Sequence, residues 1–245
     1  MDYQNTSTAL TLVTTRPYRI PRNLQMLPNR DVITTGSTGL VGSEILKQLL
    51  NDDTVRTVYS LTRRKLKLDH PKLVQLVVNF KDLPALPSAN EVYLALGTTI
   101  KDAGSKDAFR AVDFDANLAV AIAARKVGVD RIGIVSAMGA NPNSVVFYGR
   151  VKGELEMAVE NLGFKGVTIA RPSMLLGDRD ALGQPKRSNE HYSQLFANAL
   201  MSFIPKNYKP ITAISVAKSL VNATPDTVGV RILLSGKMRN CIQDN

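Results

Sequence analysis

Tyr148 and Lys152 form a Y-x-x-x-K motif that could carry out proton transfer. Residues four positions apart share one face of a helix, so the phenol and the ammonium can point into one site. A positive charge at Lys152 would stabilise the phenolate form of Tyr148, which could then exchange a proton with a carbonyl or alcohol oxygen. Ser136 ends the preceding predicted strand and could hydrogen-bond the same oxygen. These three residues are the candidate catalytic set, although a Y-x-x-x-K motif alone arises by chance in many helices.

A glycine-rich turn precedes these residues and predicts a dinucleotide site. Gly36 permits a tight turn, Gly39 lets the backbone approach a pyrophosphate, and Gly42 allows close packing of a helix on a strand. The helix N-terminus then directs its N–H groups and the positive end of its dipole at the phosphates. The alternative is an ordinary glycine-rich turn, which the predicted strand before it and the predicted helix after it make the weaker interpretation. The predicted contacts of this turn are Gly36, Ser37, Thr38, Gly39, Leu40, Val41 and Gly42.

Two arginines follow the second predicted strand and bear on the choice of dinucleotide. An acidic residue at this strand end would hold the ribose 2′-hydroxyl of NAD, whereas arginine accommodates the 2′-phosphate of NADP. The chain has Arg63 and Arg64 there and no acid. Because guanidinium groups match phosphate geometry, we expect NADP(H) as the preferred cofactor, with NAD(H) possible. The alternative is a pair of solvated arginines.

The ends of the third and fourth predicted strands supply further cofactor candidates. Asn79 and Phe80 end the third strand, near the expected position of the adenine. Asn79 could hydrogen-bond the adenine edge, or it could cap a turn, as asparagine often does. Leu96 and Gly97 follow the fourth strand, and a glycine there would let the cofactor lie close to the backbone.

The elements that must position these residues alternate between strand and helix. Hydrophobic patterning predicts strands at 31–35, 55–61, 73–80, 91–96, 131–136 and 167–171. Helical spacing predicts helices at 40–51, 106–127 and 148–162. The less regular tail predicts a helix near 193–201, a strand near 211–214, a helix near 216–223 and a strand near 230–235. This alternation implies an α/β fold, a doubly wound parallel sheet of the Rossmann type with a small C-terminal elaboration.

Composition excludes several functional classes. The 245 residues are 44% apolar, but the longest apolar runs fall far short of a membrane-spanning helix, so we expect no integral membrane segment. The net charge of +10 is scattered, and the densest basic run, 63–67, has no interleaved aromatics, so we expect no nucleic-acid partner. The sequence shows no cluster of His, Cys and acidic residues, so we predict no metal site. Cys241, the single cysteine, fits a reducing compartment, and we expect a cytoplasmic protein.

The first residues differ in composition from the rest. Residues 1–30 hold a single acidic residue, which is typical of some organelle-targeting segments. Pro17, Pro21 and Pro28 would interrupt the amphipathic helix that such a signal needs. We therefore predict a loosely packed or disordered extension, with targeting as the alternative. Residues 31–245 are predicted to form one NAD(P)-binding domain that includes a small substrate-side C-terminal part.

The chain resembles the atypical short-chain dehydrogenase/reductase family, in the group of the TIP30/CC3 oxidoreductase. The resemblance covers about residues 31–235 and implies NADPH binding, a doubly wound sheet and a retained Ser/Tyr/Lys set. It also implies that Arg171, Pro172 and Ser173 lie near the nicotinamide, and relatives often carry Asp at the position of Asn79. The motifs that carry it are the glycine turn, Leu96-Gly-Thr-Thr99, Val112-Asp113, Ser136, Tyr148-Gly-Arg-Val-Lys152-Gly-Glu154 and Arg171-Pro-Ser-Met-Leu-Leu-Gly-Asp-Arg179.

Three functional hypotheses follow. The first is an NADP(H)-dependent oxidoreductase that transfers hydride to or from a small carbonyl or alcohol substrate, with Tyr148 as general acid/base, Ser136 orienting the substrate oxygen and Lys152 holding the nicotinamide ribose. The second is an NADPH-sensing scaffold with a protein partner and little turnover. The third, a sugar-nucleotide epimerase or dehydratase, shares the same residues, but the part after Arg179 is short for a nucleotide-sugar subdomain.

Overall fold

The structure is a computed structural model that describes residues 30–176 and 205–240. The predicted N-terminal extension up to residue 29 and the predicted helix at 193–201 lie outside the described residues. The two-part domain division therefore stays a prediction.

The core of the fold is a seven-stranded sheet in which every neighbouring pair of strands is parallel. The strands in the described residues are β1 (Arg30–Thr35), β2 (Val55–Thr62), β3 (Leu73–Val77), β4 (Glu91–Leu94), β5 (Arg131–Val135), β6 (Gly166–Arg171), β7 (Leu175–Leu176), β8 (Ile211–Thr212) and β9 (Gly229–Leu234). The large sheet has the order β3-β2-β1-β4-β5-β6-β9, and β7 pairs with β8 in a separate two-stranded sheet. The order reverses direction at β1, so a crevice forms beyond the carboxyl ends of β1 and β4.

The helices cover the sheet on both sides, as expected for a doubly wound fold. They are α1 (Leu40–Asn51), α2 (Ile100–Ala103), α3 (Lys106–Arg110), α4 (Asn117–Lys126), α5 (Phe147–Glu160), α6 (Ala213–Ala223) and α7 (Ser235–Asn240). A π-helical segment, Ala111–Ala116, joins α3 to α4, and a 3-10 turn, Thr224–Asp226, follows α6. The predicted fold class is confirmed.

Two apolar clusters hold these layers together. Side chains alternate across a strand, so Val32 of β1 packs on one face of the sheet and its neighbour Ile33 on the other, and both are fully buried. The first cluster contains Leu49 of α1 and Leu220 of α6, and the second contains Leu155 of α5. A strand buried on both faces needs a continuous apolar run, which explains the composition of β1. Each fully buried side chain of this size contributes about 1.5–3 kcal/mol.

Two predicted strands are shorter in the structure, and for the first of them a local hydrogen bond explains why. The strand predicted at 73–80 ends at Val77, since Oδ1 of Asn79 accepts from the N–H of Lys81 at 3.1 Å and closes a turn. The strand predicted at 91–96 ends at Leu94.

The helix predicted over 106–127 is also divided. It is helical through most of this range but changes to π geometry at Ala111–Ala116. In the tail, the strand predicted at 211–214 ends at Thr212, whose side chain accepts from the N–H of Ser215 and caps α6. The short elements β7, α2 and α7 were not predicted.

Candidate functional site

The glycine turn lies against the end of β4. Gly36 has a φ of +72°, which favours glycine, and a β carbon there would lie 2.2 Å from the carbonyl oxygen of Ala95. A β carbon on Gly42 would lie 2.0 Å from the carbonyl oxygen of Gly36. Neither position can hold a side chain without moving backbone. The turn and the start of α1 therefore form a compact backbone cradle.

The N-terminus of α1 is suited to an anion. The cap residue, Gly39, has no side chain to accept the first N–H groups of the helix, and no acidic residue lies in the first turn. The positive end of the helix dipole thus faces the crevice without a protein counter-charge from that turn. The arrangement fits the pyrophosphate of a dinucleotide. The side chains of Leu40 and Val41 pack in the first apolar cluster, so these residues support the start of α1 from the protein interior.

Two hydroxyls tie the turn to β2. Oγ of Ser37 and Oγ of Ser60 lie 2.6 Å apart, and both residues are buried. Ser37, one of the predicted phosphate contacts, therefore already has a hydroxyl partner inside the protein. Thr38, the next residue, is exposed.

The arginines that follow β2 lie beside this turn. In the sheet register, Thr35 pairs with Leu61, so the chain leaves β1 and β2 at the same edge. Arg63 and Arg64 are both exposed, and neither forms an ion pair within residues 30–176 and 205–240. Two guanidinium groups without carboxylate partners are thus available at the edge where the cradle opens.

The two predicted adenine contacts, Asn79 and Phe80, differ in their exposure to solvent. Asn79 is exposed, but its Oδ1 accepts from Lys81 in the turn described above, which matches the alternative interpretation of this residue. Phe80 is half-buried and packs against the second apolar cluster.

The end of β4 connects the cradle to Lys152. A β carbon on Gly97 would lie 3.5 Å from Oδ1 of Asp113 and 3.8 Å from Nζ of Lys152. The carbonyl oxygen of Leu96 accepts from Nδ2 of Asn117 at 3.1 Å. The segment after β4 therefore lies between the glycine turn on one side and the Lys152 ammonium on the other.

Lys152 is buried and paired with a carboxylate. Its Nζ lies 2.7 Å from Oδ1 of Asp113, and the two side chains are 5% and 1% exposed. Burial lowers the pKa of Lys152, but the charges of Asp113, Tyr148 and Glu156 outweigh this effect, so the pKa is raised above its ordinary value. Lys152 therefore keeps its positive charge at neutral pH.

Tyr148 begins the same helix and is half-exposed at 38%. Its ring lies 5.6 Å from the ring of Phe109, which also contacts Phe147 at 5.9 Å between centroids. Such tilted aromatic contacts fix ring orientation. Ser144 supports the start of this helix, because its Oγ accepts from the N–H of Val146 at 3.1 Å. Tyr148 and Lys152 thus lie on one helix face at the crevice.

Ser136 points into a buried polar network. Its hydroxyl donates to Oε1 of Glu156, and Glu156 also forms a salt bridge with Arg171 at the end of β6. Ser136 and Glu156 are 5% and 3% exposed. The hydroxyl hydrogen of Ser136 is therefore engaged inside the protein, and the role predicted for it on a substrate oxygen stays a prediction.

The segment after β6 joins the C-terminal part of the fold. Pro172 is buried, and its carbonyl oxygen accepts from the N–H of Met138 at 2.8 Å. Oγ of Ser235 accepts from the N–H of Ser173 at 2.8 Å, and Oγ of Ser173 donates to the carbonyl oxygen of Lys209. Arg171, Pro172 and Ser173 thus lie at the same edge of the sheet as the other candidates.

Two site residues, Asp113 and Glu156, were not singled out from the sequence. Glu156 follows Lys152 by four positions, so helical spacing could have placed it on the same face. Asp113 was named only within a motif that supports the family resemblance. Its short distance to Lys152 depends on the π-helical segment.

Neither metal nor membrane features accompany this site. Residues 30–176 and 205–240 contain no group of three or more His, Cys, Asp or Glu residues placed to hold a metal ion. None of the helices within those ranges is long and apolar enough to cross a membrane.

Comparison with solved structures shows the same fold in other proteins. MoeE5 in complex with UDP-glucose and NAD superposes with a TM-score of 0.64, at 18% identity, over 83% of this chain and 75% of that one. The oxidoreductase ylbE from Lactococcus lactis superposes with a TM-score of 0.57, at 17% identity, over 87% of this chain and 97% of that one. At these identities the likeness establishes the fold.

Comparison of sequences identifies relatives. Protein FMP52, mitochondrial, of Debaryomyces hansenii is 36% identical over 152 residues, which is 59% of this chain and 66% of that protein. Protein HTATIP2 of Rattus norvegicus, also known as TIP30, is 31% identical over 203 residues, which is 80% of this chain and 81% of that protein. The family model described as NAD(P)H-binding matches residues 36–193. The chain therefore belongs to the NAD(P)H-binding family that includes HTATIP2, with a Rossmann-type fold.

Proposed function

We propose that this chain is an NADP(H)-dependent oxidoreductase acting on a small carbonyl or alcohol substrate. The observation that carries the proposal is the continuous path from the glycine cradle through the end of β4 to Lys152. Gly36 contacts Ala95, and Gly97 lies beside the Lys152 ammonium. A dinucleotide on α1 would therefore run toward the helix face that carries Tyr148.

The protein groups have separate tasks in this proposal. The cofactor, when bound, supplies the hydride chemistry. The N-terminus of α1 would hold the pyrophosphate, and the Lys152 ammonium would donate to the nicotinamide ribose. Tyr148 gives its proton to a carbonyl oxygen in reduction and receives one from an alcohol in oxidation. Ser136 joins this step only if its hydroxyl turns from Glu156 to the substrate oxygen.

The preference for NADP(H) over NAD(H) is the finer part of the proposal. It is supported by the exposed Arg63 and Arg64 and by the lack of a carboxylate partner for either one in the described parts of the chain. A 2′-phosphate at the end of β2 would supply the missing counter-charge.

A Tyr148→Phe variant tests the enzyme proposal. Removing one hydroxyl from a half-exposed ring should leave the fold and the NADPH dissociation constant nearly unchanged. Turnover of NADPH with a panel of aldehydes and ketones should fall about 10²–10⁴-fold, the usual contribution of a positioned acid. Tyr208→Phe is a suitable control, because Tyr208 is another exposed tyrosine, at 61%, outside the Tyr148–Lys152 helix. Equal turnover in Tyr148→Phe and Tyr208→Phe would contradict the proposal.

A second candidate function is NADPH sensing with little turnover. It is favoured by the existing partners of two candidate catalytic residues. The Ser136 hydroxyl donates to Glu156, and the Lys152 ammonium forms an ion pair with Asp113. Tight NADPH binding combined with no carbonyl-dependent NADPH oxidation across the panel would favour the sensor. In that case, proteins captured with and without NADPH should differ.

The cellular compartment is also a proposal. The sequence favours the cytoplasm, with targeting by residues 1–30 as the alternative, and the yeast FMP52 relatives are named as mitochondrial proteins. Because Pro17, Pro21 and Pro28 would interrupt a targeting helix, we propose the cytoplasm as the compartment, with mitochondrial targeting by residues 1–30 as the alternative. A fluorescent protein fused to residues 1–30 should give a diffuse signal, and co-localisation with a mitochondrial marker would contradict this proposal.

A further inference from the structure

The buried ion pair between Lys152 and Asp113 makes the charge of Lys152 dependent on one carboxylate. A buried ammonium loses its hydration, which disfavours the charged form. Nζ of Lys152 lies 2.7 Å from Oδ1 of Asp113, and both side chains are almost excluded from solvent. Within residues 30–176 and 205–240, no other carboxylate forms an ion pair with Lys152.

A second carboxylate near Lys152, that of Glu156, has partners of its own. Tyr148 and Glu156 lie on the same helix, and both favour the charged lysine. Glu156, however, is bound by the Arg171 guanidinium from β6 and by the Ser136 hydroxyl from the end of β5. Its negative charge is therefore largely compensated, and Asp113 is the carboxylate left to balance Lys152.

The π-helical segment and its hydrogen bonds hold Asp113 in place. Nδ2 of Asn117 donates to the carbonyl oxygens of Val112 and Asp113, at 3.2 and 3.1 Å, and to that of Leu96. π-helical turns inside helices are frequent at functional sites. Oδ2 of Asp113 accepts from the N–H of Thr98 at 2.8 Å. One carboxylate thus joins the segment after β4 to the lysine on α5.

We propose that Asp113 is a positioning residue that keeps Lys152 charged and holds its ammonium beside Gly97. The proposal rests on the proposed function in that Lys152 is taken to anchor the cofactor ribose. In this role, Asp113 makes cofactor binding independent of pH across the neutral range.

An Asp113→Asn variant separates charge from shape. Asparagine can still accept from the N–H of Thr98, but it leaves Lys152 without a counter-charge. Burial then dominates and lowers the pKa of Lys152 toward the neutral range. The ammonium should therefore lose its proton as the pH rises from 6 to 9, whereas it stays charged over this range in the unsubstituted protein.

NADPH affinity measured by fluorescence titration at several pH values gives the first readout. The unsubstituted protein and Asp115→Asn, an exposed neighbour in the same π segment, should show parallel curves. Between pH 6 and pH 9, the NADPH dissociation constant of Asp113→Asn should rise roughly tenfold more than that of the other two proteins. The reason is that hydrogen bonds from charged donors are stronger than those from neutral ones. A loss of equal size at every pH would show a merely structural role and overturn the proposal.

Unfolding measured over the same pH range gives a second readout that needs no cofactor. In the unsubstituted protein the pKa of Lys152 is raised in the folded state, so its contribution to stability is lost only as the pH rises above the tested range. In Asp113→Asn the folded-state pKa is lowered, so the stability deficit should be largest at pH 6 and shrink toward pH 9. If NADPH does not bind at all, the proposed function fails, while these unfolding curves still decide the role of Asp113.

A double variant covers the case in which Asp113→Asn does not fold. Adding Lys152→Met removes the uncompensated charge, and replacing both members of a buried ion pair is far less destabilising than removing one. The double variant should therefore be more stable than Asp113→Asn at pH 6. If the double variant is no more stable, the charge of Lys152 is not what Asp113 serves, and the proposal is overturned.

Discussion

Gly36 is packed against Ala95 so closely that any β carbon at position 36 would lie 2.2 Å from the Ala95 carbonyl oxygen. This contact joins the turn after β1 to the end of β4, the two strands that flank the crevice. The site therefore depends on backbone contacts as well as on side chains.

Gly36→Ala should destabilise the protein more than a glycine-to-alanine change that introduces the same backbone strain but no collision. The left-handed conformation costs alanine about 1–2 kcal/mol, and the backbone collision should add about 1–3 kcal/mol. Gly128→Ala is the matched control, because Gly128 has a φ of +86° but no atom within 4 Å of the added β carbon. Denaturant unfolding of both variants measures the difference, and equal losses would show that the turn can move away from β4.

Arg63→Ala should weaken NADPH binding much more than NADH binding. A hydrogen bond to a charged group contributes about 1.5–3 kcal/mol, which corresponds to about a 10- to 150-fold change in the NADPH dissociation constant. The NADH constant should change by less than about twofold, since NADH lacks the 2′-phosphate that this arginine is proposed to bind.

Arg56→Ala is the control for this change. Arg56 lies on β2, the strand that precedes Arg63, pairs with Asp31 and is 61% exposed, and its removal alters the net charge by the same amount. Equal affinities of the unsubstituted protein for NADPH and NADH would contradict the role assigned to Arg63.

Ser136→Ala should lower stability more clearly than Tyr148→Phe and lower turnover less. The substitution leaves Oε1 of the buried Glu156 without the Ser136 hydroxyl, at a cost of about 1–3 kcal/mol in the free energy of unfolding. Tyr148 is half-exposed, so its hydroxyl contributes little to folding. Parallel unfolding and turnover measurements on the two variants check this order. If Ser136→Ala instead loses as much turnover as Tyr148→Phe with unchanged stability, its hydroxyl acts on the substrate.

Asn117→Ala should disturb the segment after β4 as well as the π-helical segment. The variant loses three hydrogen bonds to the carbonyl oxygens of Leu96, Val112 and Asp113. We expect a loss of about 1–3 kcal/mol in stability, together with weaker NADPH binding because Leu96 lies next to Gly97. Asn161→Ala is the control, since exposed Asn161 donates only to the carbonyl oxygen of Met157 one turn earlier. Denaturant unfolding and NADPH titration on both variants test the expectation, which unchanged affinity in Asn117→Ala would contradict.

Much of the fold could be predicted because its signals are local. The positive φ of Gly36 and the close approach of Gly42 to the Gly36 carbonyl are local requirements of the backbone, and the apolar residues Val32 and Ile33 must be buried wherever β1 lies. The boundaries were less predictable where a side chain competes with the strand. Asn79 illustrates this, because its amide oxygen closes a turn and ends β3 earlier than the apolar pattern does.

The site was predicted less completely because its polar groups are paired over long distances along the chain. The residue types of Ser136 and Lys152 indicate possible chemistry, but not that one donates to Glu156 and the other pairs with Asp113. The second pairing depends on a π-helical turn, which residue propensities do not reveal.

The uncapped start of α1 has a consequence for the lifetime of the protein. A glycine N-cap such as Gly39 makes a helix only about a few tenths of a kcal/mol less stable than a side-chain cap does, and the proposed dinucleotide would accept from the first N–H groups in place of that side chain. A ligand at 100 times its dissociation constant stabilises the folded state by about 2.7 kcal/mol. A cell that depletes this dinucleotide would therefore hold more of the chain in the unfolded state that proteases attack, so that protein abundance would follow the supply of cofactor.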